Sequence, residues 1–173
     1  MQPPLRAAQQ ALDMREDQYL ADVISTDHCD YTLAQKQEHQ DFSRTPGGLP
    51  GLETALQLVF TYSTLPVERR VQHIATRMAL NPARIFGLYP RKGAILPGSD
   101  ADLVIYDPQP TVTVEVSRLH TIGGYSPYEG FTLQGQVQTT ISRGEVLVHE
   151  GIFTGGAGRG KFLKAAPFAG LKQ

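Results

Sequence analysis

Ala21-Asp22-Val23-Ile24-Ser25-Thr26 runs directly into Asp27-His28-Cys29-Asp30, and this stretch decides the predicted fold. The first six residues predict a short strand because β-branched residues are frequent among them. Residues 7–20 are mostly helix-formers and predict a helix just before that strand. A helix, a strand and then polar residues at the strand's carboxyl end are how an α/β protein presents a site. The sequence therefore predicts an α/β fold with a candidate site at residues 27–30.

Three more helices are predicted before residue 90. Apolar side chains from Leu52 to Phe60 recur at i, i+3, i+4, i+7 and i+8, the spacing of an amphipathic helix. Pro66 suits the start of a second helix, and Asn81-Pro82 suit the N-cap and first position of a third that reaches Leu88. The polar residues 31–51, which end in a Pro- and Gly-rich run, predict a loop.

The pattern changes from helices to strands near residues 89–93. Residues 101–106 predict a strand that Asp107-Pro108 stops, and residues 111–116 alternate with a period of two. Arg143-Gly144, between two β-rich runs at 136–142 and 145–149, predicts a hairpin. We therefore expect three parts: residues 1–90, residues 91–154 and a C-terminal arm at 155–173.

Composition is typical of a soluble globular protein, with 40% hydrophobic and 19% charged residues. The net charge of -1 argues against a dedicated nucleic-acid binder and against a polybasic membrane binder. No apolar run approaches the roughly 20 residues that span a bilayer, and the N-terminus lacks a signal-peptide pattern. The single cysteine, Cys29, excludes an internal disulfide and fits a reducing compartment, so a cytoplasmic location is expected.

A further signal comes from eight blocks of residues, in this order: Pro3–Arg6, Ile24–Cys29, Asp41–Gly48, Ile85–Gly93, Gly98–Pro108, Tyr128–Gly130, Ile141–Gly144 and Gly158–Phe162. Together they resemble the C-terminal part of the dihydropyrimidinase and hydantoinase group of cyclic amidohydrolases. The block Gly98–Val104 is shared by many amidohydrolases. The Asp-His-Cys block, the Pro-Gly-Gly loop and the late motifs narrow the resemblance to this group.

The resemblance implies the closing βα segment of a metal-dependent (β/α)8 (TIM) barrel, followed by part of a small β-sandwich. The chain is truncated relative to that family. Full-length members open cyclic diamides such as dihydropyrimidines and hydantoins, use two zinc ions and are typically tetramers. By resemblance Asp27 is both a metal ligand and the group that takes a proton from the bridging water and passes it to the leaving nitrogen. Two nearby cations would keep such a carboxylate ionised.

Two expected substrate-binding positions depart from the family pattern. Gln2 stands where the family usually has Ser, and Gly47 stands where it usually has Asn. In the family these positions hold the substrate's amide edge mainly through main-chain groups, so Gly47 could still serve. A flexible glycine makes the contact less pre-organised.

The metal ligands other than Asp27 are missing from this sequence. The family uses a His-x-His pair, a carbamylated lysine and two further histidines, yet none of the five histidines here forms His-x-His. If the 173 residues were the whole protein, the two-metal site could not assemble from one chain. The chain is therefore expected to be inactive alone, and a non-catalytic remnant or association module is the alternative function.

Several other interpretations stay open. Asp27 could simply cap the next turn, and residues 27–30 with His39 could form a separate metal site. Cys29 could act as a nucleophile only beside a positioned base. Residues 155–161 fit the spacing of a phosphate-binding loop, but Phe162 stands where Ser or Thr must hold Mg²⁺.

Overall fold

The computed structural model describes residues 7–10, 21–168 and 170–171. Its helices are α1 (Leu33–Gln37), α2 (Ala55–Tyr62), α3 (Val67–Ala75) and α4 (Asn81–Ile85), with 3₁₀ turns at Phe42–Arg44 and Val116–Arg118 and a π-helical turn at Thr76–Leu80. Its strands are β1 (Leu103–Thr113), β2 (Thr132–Ser142), β3 (Glu145–His149) and β4 (Ile152–Phe153). Residues 8–10 are helical, as predicted. The rest of that predicted helix, residues 11–20, lies outside the described residues.

The strand predicted at residues 21–26 is not formed, and this prediction is wrong. A strand depends on a neighbour that completes its hydrogen-bond ladder, and no described segment runs alongside to do so. Instead the Ile24 N–H donates to the Arg77 carbonyl at 3.1 Å, and the Asp22 carbonyl accepts from the Asn81 side chain at 2.8 Å. The stretch therefore lies along the helical region rather than in a sheet.

Helices α2 and α3 confirm the predicted amphipathic segments, with α2 beginning at Ala55 rather than near Leu52. The predicted N-cap at Asn81 is wrong, because Asn81 has helical angles and the turn before it is π-helical. Its N–H donates to Thr76, five residues back. In a regular α-helix the Pro82 ring would clash with the carbonyl four residues earlier, and a widened turn moves that carbonyl away.

The four strands form one antiparallel sheet in the order β1-β2-β3-β4. Asp107-Pro108 does not stop the first strand as predicted, since β1 continues to Thr113 across a register shift between Asp107 and Thr111. The irregularity contains Pro108 and Pro110, which have no N–H group to donate to the hydrogen-bond ladder. The predicted hairpin is confirmed, and Arg143 (φ 51°) and Gly144 (φ 82°) have the positive angles of a type I′ turn.

The most deeply buried large side chains lie where α2 packs against β2 and touches Tyr106 of β1. Phe60 and Leu133 are fully buried, and the Phe60 ring lies 5.0 Å from that of Tyr106. Burial raises the pKa of Tyr106 to about 12, so its hydroxyl stays protonated and donates to the Gln134 carbonyl at 2.7 Å. Side chains of α2 also bond to the backbone of β2, as Gln57 Nε2 does to the Gly135 carbonyl at 2.8 Å.

The C-terminal arm runs back over its own chain. Arg159 donates to the Ser142 carbonyl at 3.1 Å and pairs with Glu145 at 2.6 Å. Further along, the Ala166 N–H donates to the Gly87 carbonyl at 2.9 Å. The arm thus connects the hairpin to the end of α4, while the three-part division of the chain stays a prediction. Within the described ranges, no helix has the length and apolar character needed to cross a bilayer.

Candidate functional site

Asp27 lies in a short segment that is fixed on its C-terminal side. His28 forms a parallel bridge with Leu49, and the Cys29 N–H donates to the Leu49 carbonyl at 3.2 Å. Asp27 itself is exposed and has a φ of 46°. Aspartate is one of the few residues that adopt this left-handed conformation with little strain. Its carboxylate has no hydrogen bond or ion pair with the described part of the chain, so it is available to a ligand.

His28 is engaged in the structure rather than presented as a ligand. Its Nδ1 accepts from the N–H groups of Gly51 at 3.1 Å and Leu52 at 3.3 Å. Since a nitrogen that accepts carries no proton, Nε2 holds the hydrogen of the neutral ring. The histidine therefore ties the Asp27 segment to the loop that leads into α2.

Gly47, the predicted substrate-binding position, lies near Asp27 because both are within two residues of the His28–Leu49 bridge. A Cβ added at Gly47 would meet nothing within 4 Å, and the residue is exposed. Lys36 Nζ donates to the carbonyls of Pro46 and Gly48, each at 2.6 Å. The other predicted substrate-binding residue, Gln2, lies outside the described residues.

A cavity of about 340 Å³ adjoins this region. Its lining comprises His28, Asp30, Pro50, Gly51, Leu52, Glu53, Thr54, Leu119, His120, Thr121, Ile122 and Ser126. Neither Asp27 nor Gly47 is among these residues. The cavity thus lies beside the candidate site, where residues 50–54 meet residues 119–126.

Two acidic residues hold the walls of this cavity together. Glu53 accepts from the His120 N–H at 3.0 Å, and its Oε1 lies 2.9 Å from His120 Nδ1. Asp30 accepts from the Thr121 hydroxyl and from the Gly123 N–H at 3.2 Å. Sequence reasoning missed Glu53 and His120, because residues 67 positions apart leave no local signal of their contact.

Asp30 and Tyr125 also have buried oxygen atoms, Oδ1 and the hydroxyl, without a hydrogen-bond partner in the described structure. Burial raises the pKa of Tyr125, and negative charge at Asp30 and Cys29 raises it further. The phenol is therefore held in its neutral form. Buried groups of this kind are commonly satisfied by ordered water.

The described residues do not make a complete metal site. They bring no three His, Cys, Asp or Glu side chains into an arrangement that could hold a metal ion, and this includes residues 27–30 with His39. Cys29 is unpaired and exposed. A metal site that included Asp27 would therefore need donors from beyond the described residues.

Comparison with known proteins identifies the family. The model of the amidohydrolase family matches residues 6–147. The D-phenylhydantoinase of Escherichia coli O81 (strain ED1a) is 46% identical over 149 residues, which are 85% of this chain and 32% of that protein. The chain thus spans about a third of the length of the curated relatives that it matches.

Solved structures agree with this relationship in fold. The chain is similar to the dihydropyrimidinase from Brevibacillus agri NCHU1002, with a TM-score of 0.91 and 30% identity over 98% of this chain and 38% of that chain. It is also similar to the D-hydantoinase (dihydropyrimidinase) from Thermus sp., with a TM-score of 0.87 and 36% identity over 97% of this chain and 37% of that chain. These relatives confirm the predicted fold class, a partial α/β segment of a TIM-barrel family with an antiparallel sheet. The chain belongs to the amidohydrolase family, among its hydantoinase- and dihydropyrimidinase-like members.

Proposed function

We propose that this chain supplies Asp27 and the loop of residues 45–51, here called the Gly47 loop, to the active site of an enzyme that opens hydantoin or dihydropyrimidine rings. The names of its relatives support this substrate class. Because the chain spans about a third of their length, the activity of a whole enzyme is itself part of the proposal. One observation carries it: the Asp27 carboxylate is exposed and unpaired among the described residues, and the residues that follow it, His28 and Cys29, are hydrogen-bonded to Leu49 of the Gly47 loop.

The role proposed for Asp27 is proton transfer. As a carboxylate it accepts a proton from the attacking water, and as the acid it gives that proton to the ring nitrogen that leaves. Both steps need a carboxylate oxygen that is free to take the proton and that lies within hydrogen-bond reach of the water. The fixed backbone at His28 and Cys29 supports this role, because it limits how far Asp27 can drift from the Gly47 loop.

Amidohydrolases are metal-dependent, and zinc is the metal that we propose here, with Asp27 as one ligand. A bound metal would lower the pKa of water and polarise the substrate carbonyl. The described residues do not complete such a site, so the remaining ligands would have to come from residues beyond them.

The Gly47 loop is proposed to hold the amide edge of the ring. Neither the N–H nor the carbonyl of Gly47 has a hydrogen-bond partner among the described residues. A ring amide offers one carbonyl acceptor and one N–H donor, which match these two groups. With open space in place of a side chain, the ring can approach the backbone closely.

The test is the variant Asp27→Asn in the zinc-loaded enzyme that carries this segment, with hydantoin and dihydrouracil as substrates. Loss of proton transfer should lower kcat by about 10²- to 10⁴-fold. Stability of the zinc-free enzyme to urea should be unchanged, because the carboxylate has no partner among the described residues to lose. The control is Asp22→Asn, another exposed carboxylate in the same segment, which should retain full turnover. Undiminished turnover in Asp27→Asn would refute the proposed role.

An association module without catalysis is the second candidate. Exposed large apolar side chains favour it, such as Phe42, Ile95 and Phe162 at 90%, 85% and 93% exposure. Binding to a full-length relative, with no zinc bound and no ring opening, would support this candidate. We further propose a cytoplasmic location and a homo-oligomeric assembly, which cell fractionation and sedimentation of the enzyme would test.

A further inference from the structure

Lys36, on α1, makes an unusual pair of contacts on either side of Gly47. Its ammonium donates to the carbonyls of Pro46 and Gly48, the residues immediately before and after Gly47, at 2.6 Å each. The side chain is partly buried, and Nζ lies 5.5 Å from the centroid of the Tyr31 ring. Charge-assisted hydrogen bonds of this length are among the stronger ones in proteins. One cation therefore fixes both ends of the residue proposed to contact substrate.

The carbonyl of Pro46 and the N–H of Gly47 belong to the same peptide group. A positive charge at that carbonyl draws electron density away from the nitrogen and makes the N–H a stronger donor, which is how hydrogen bonds in a chain polarise one another. Among the described residues, Lys36 makes no hydrogen bond to the Gly47 carbonyl, which belongs to the next peptide group and stays available as an acceptor. The loop thus presents one strengthened donor and one open acceptor.

We propose that Lys36 is a positioning residue, which holds the Gly47 loop in its binding conformation and strengthens the Gly47 N–H toward a ring carbonyl. This inference rests on the proposed function for its substrate, a cyclic amide. The contact between Lys36 and the loop, however, is a property of the chain alone. The flexibility expected of glycine at position 47 is offset by the two bonds from Lys36.

The first experiment needs no substrate. The enzyme is labelled with ¹⁵N-glycine, and the Gly47 amide signal is compared in the parent, Lys36→Met and Gln37→Met. Gln37 is an exposed neighbour on α1 and serves as the control for changing the helix surface. The Gly47 amide proton should move upfield and exchange faster in Lys36→Met only. Lys36→Arg, whose guanidinium has enough N–H donors to reach two carbonyls, should restore most of the shift. An unmoved Gly47 signal in Lys36→Met would overturn the proposal.

The second experiment measures kinetics on hydantoin. Weakening one hydrogen bond to substrate in ground state and transition state alike raises KM and leaves kcat near its parent value. We expect roughly a tenfold rise in KM for Lys36→Met and a smaller rise for Lys36→Arg. A fall in kcat at unchanged KM would contradict a positioning role. A parent enzyme that does not open hydantoin would refute the proposed function. The role of Lys36 would then be decided by the first experiment alone, through the shift of the Gly47 amide signal.

Discussion

Gly47 and Gly48 are neighbours in the sequence, yet the structure constrains only the second of them. Gly48 has a φ of +100°, and a Cβ there would lie 2.5 Å from Cβ and 2.8 Å from the carbonyl oxygen of Cys29. Gly47 has open space around it and no positive φ. A side chain is therefore excluded at Gly48 by both conformation and contact, whereas Gly47 can accept one.

We predict that Gly48→Ala destabilises the chain by about 1–3 kcal/mol, the usual cost of holding a non-glycine residue in a strained conformation. Gly47→Ala, the matched variant, should be neutral or stabilise by about 0.4–1 kcal/mol, because it restricts the unfolded chain without strain. Urea unfolding followed by circular dichroism measures both. Equal unfolding midpoints for the two variants would show that contact with Cys29 does not constrain Gly48.

At the scale of elements, a group of charges fixes the passage from α4 to β1. Lys92 pairs with Asp100 at 2.9 Å and with Asp102, while Arg91 pairs with Asp100 at 3.0 Å. The hydrogen bond from Lys92 has the largest effect on the pKa of Asp100 and, together with that from Arg91, lowers it against the opposing effect of burial. Burial would raise the pKa of Asp102, but the hydrogen bonds from Lys92 and the Arg143 N–H outweigh it and lower the pKa.

These lowered pKa values predict a pH dependence of stability. In the folded chain the pKa values of both carboxyl groups lie below 3.8, the ordinary aspartate value. Their contribution to the free energy of unfolding is therefore complete above pH 3.8 and is lost as the pH falls through the folded pKa values. Asp102→Asn should remove part of this dependence, so its thermal midpoint should fall less than that of the parent between pH 5 and pH 2, a window set by the usual aspartate range.

The control for this prediction is Glu150→Gln, an exposed acid far from the cluster in sequence. It should follow the parent curve of thermal midpoint against pH. If the curves of thermal midpoint against pH were parallel for the parent and Asp102→Asn, this cluster would not be the source of the acid-dependent loss of stability.

The apolar contact between α2 and the sheet is centred on one side chain, Phe60. Phe60 is fully buried against Tyr106, and the guanidinium of Arg70 lies 5.5 Å from its ring centroid. Phe60→Ala should cost about 3–5 kcal/mol of unfolding free energy, because it removes buried apolar surface and leaves a cavity. The matched control is Phe42→Ala. Phe42 is 90% exposed, so its replacement should change the free energy of unfolding little. Similar losses in the two variants would mean that α2 does not depend on this contact.

At the scale of the whole molecule, the described chain buries few side chains for its size. Its buried apolar residues are Phe60, Ala83, Val114 and Leu133. Large apolar side chains such as Val71, Ile122 and Phe153 are more than half exposed, at 52%, 75% and 57%. Exposed apolar area on this scale usually marks a surface that another part of a protein covers.

We therefore predict that these 173 residues, expressed by themselves, self-associate. Sedimentation velocity should show species larger than the 19.0 kDa of one chain, with an average mass that rises with concentration. A monodisperse 19.0 kDa species at all concentrations, with slow amide exchange over residues 21–27, would contradict the prediction.

The sequence by itself determined the family, the amphipathic helices α2 and α3, and the hairpin at Arg143-Gly144. These features are local, since helix periodicity, a type I′ turn and short motifs are each written in a few neighbouring residues. The family resemblance carried by these short motifs implied Asp27 and Gly47 as candidate site residues, and their roles stay predictions.

Tertiary structure alone decided the features that need a distant partner. Residues 21–26 have the composition of a strand. They do not form one, because no described segment lies beside them to complete a hydrogen-bond ladder. No periodic signal in the sequence predicts that Glu53 pairs with His120, or that Lys36 donates hydrogen bonds to the Gly47 loop. A contact between residues far apart depends on how the whole chain packs, because a side chain finds its partner only after the elements that carry both have come together.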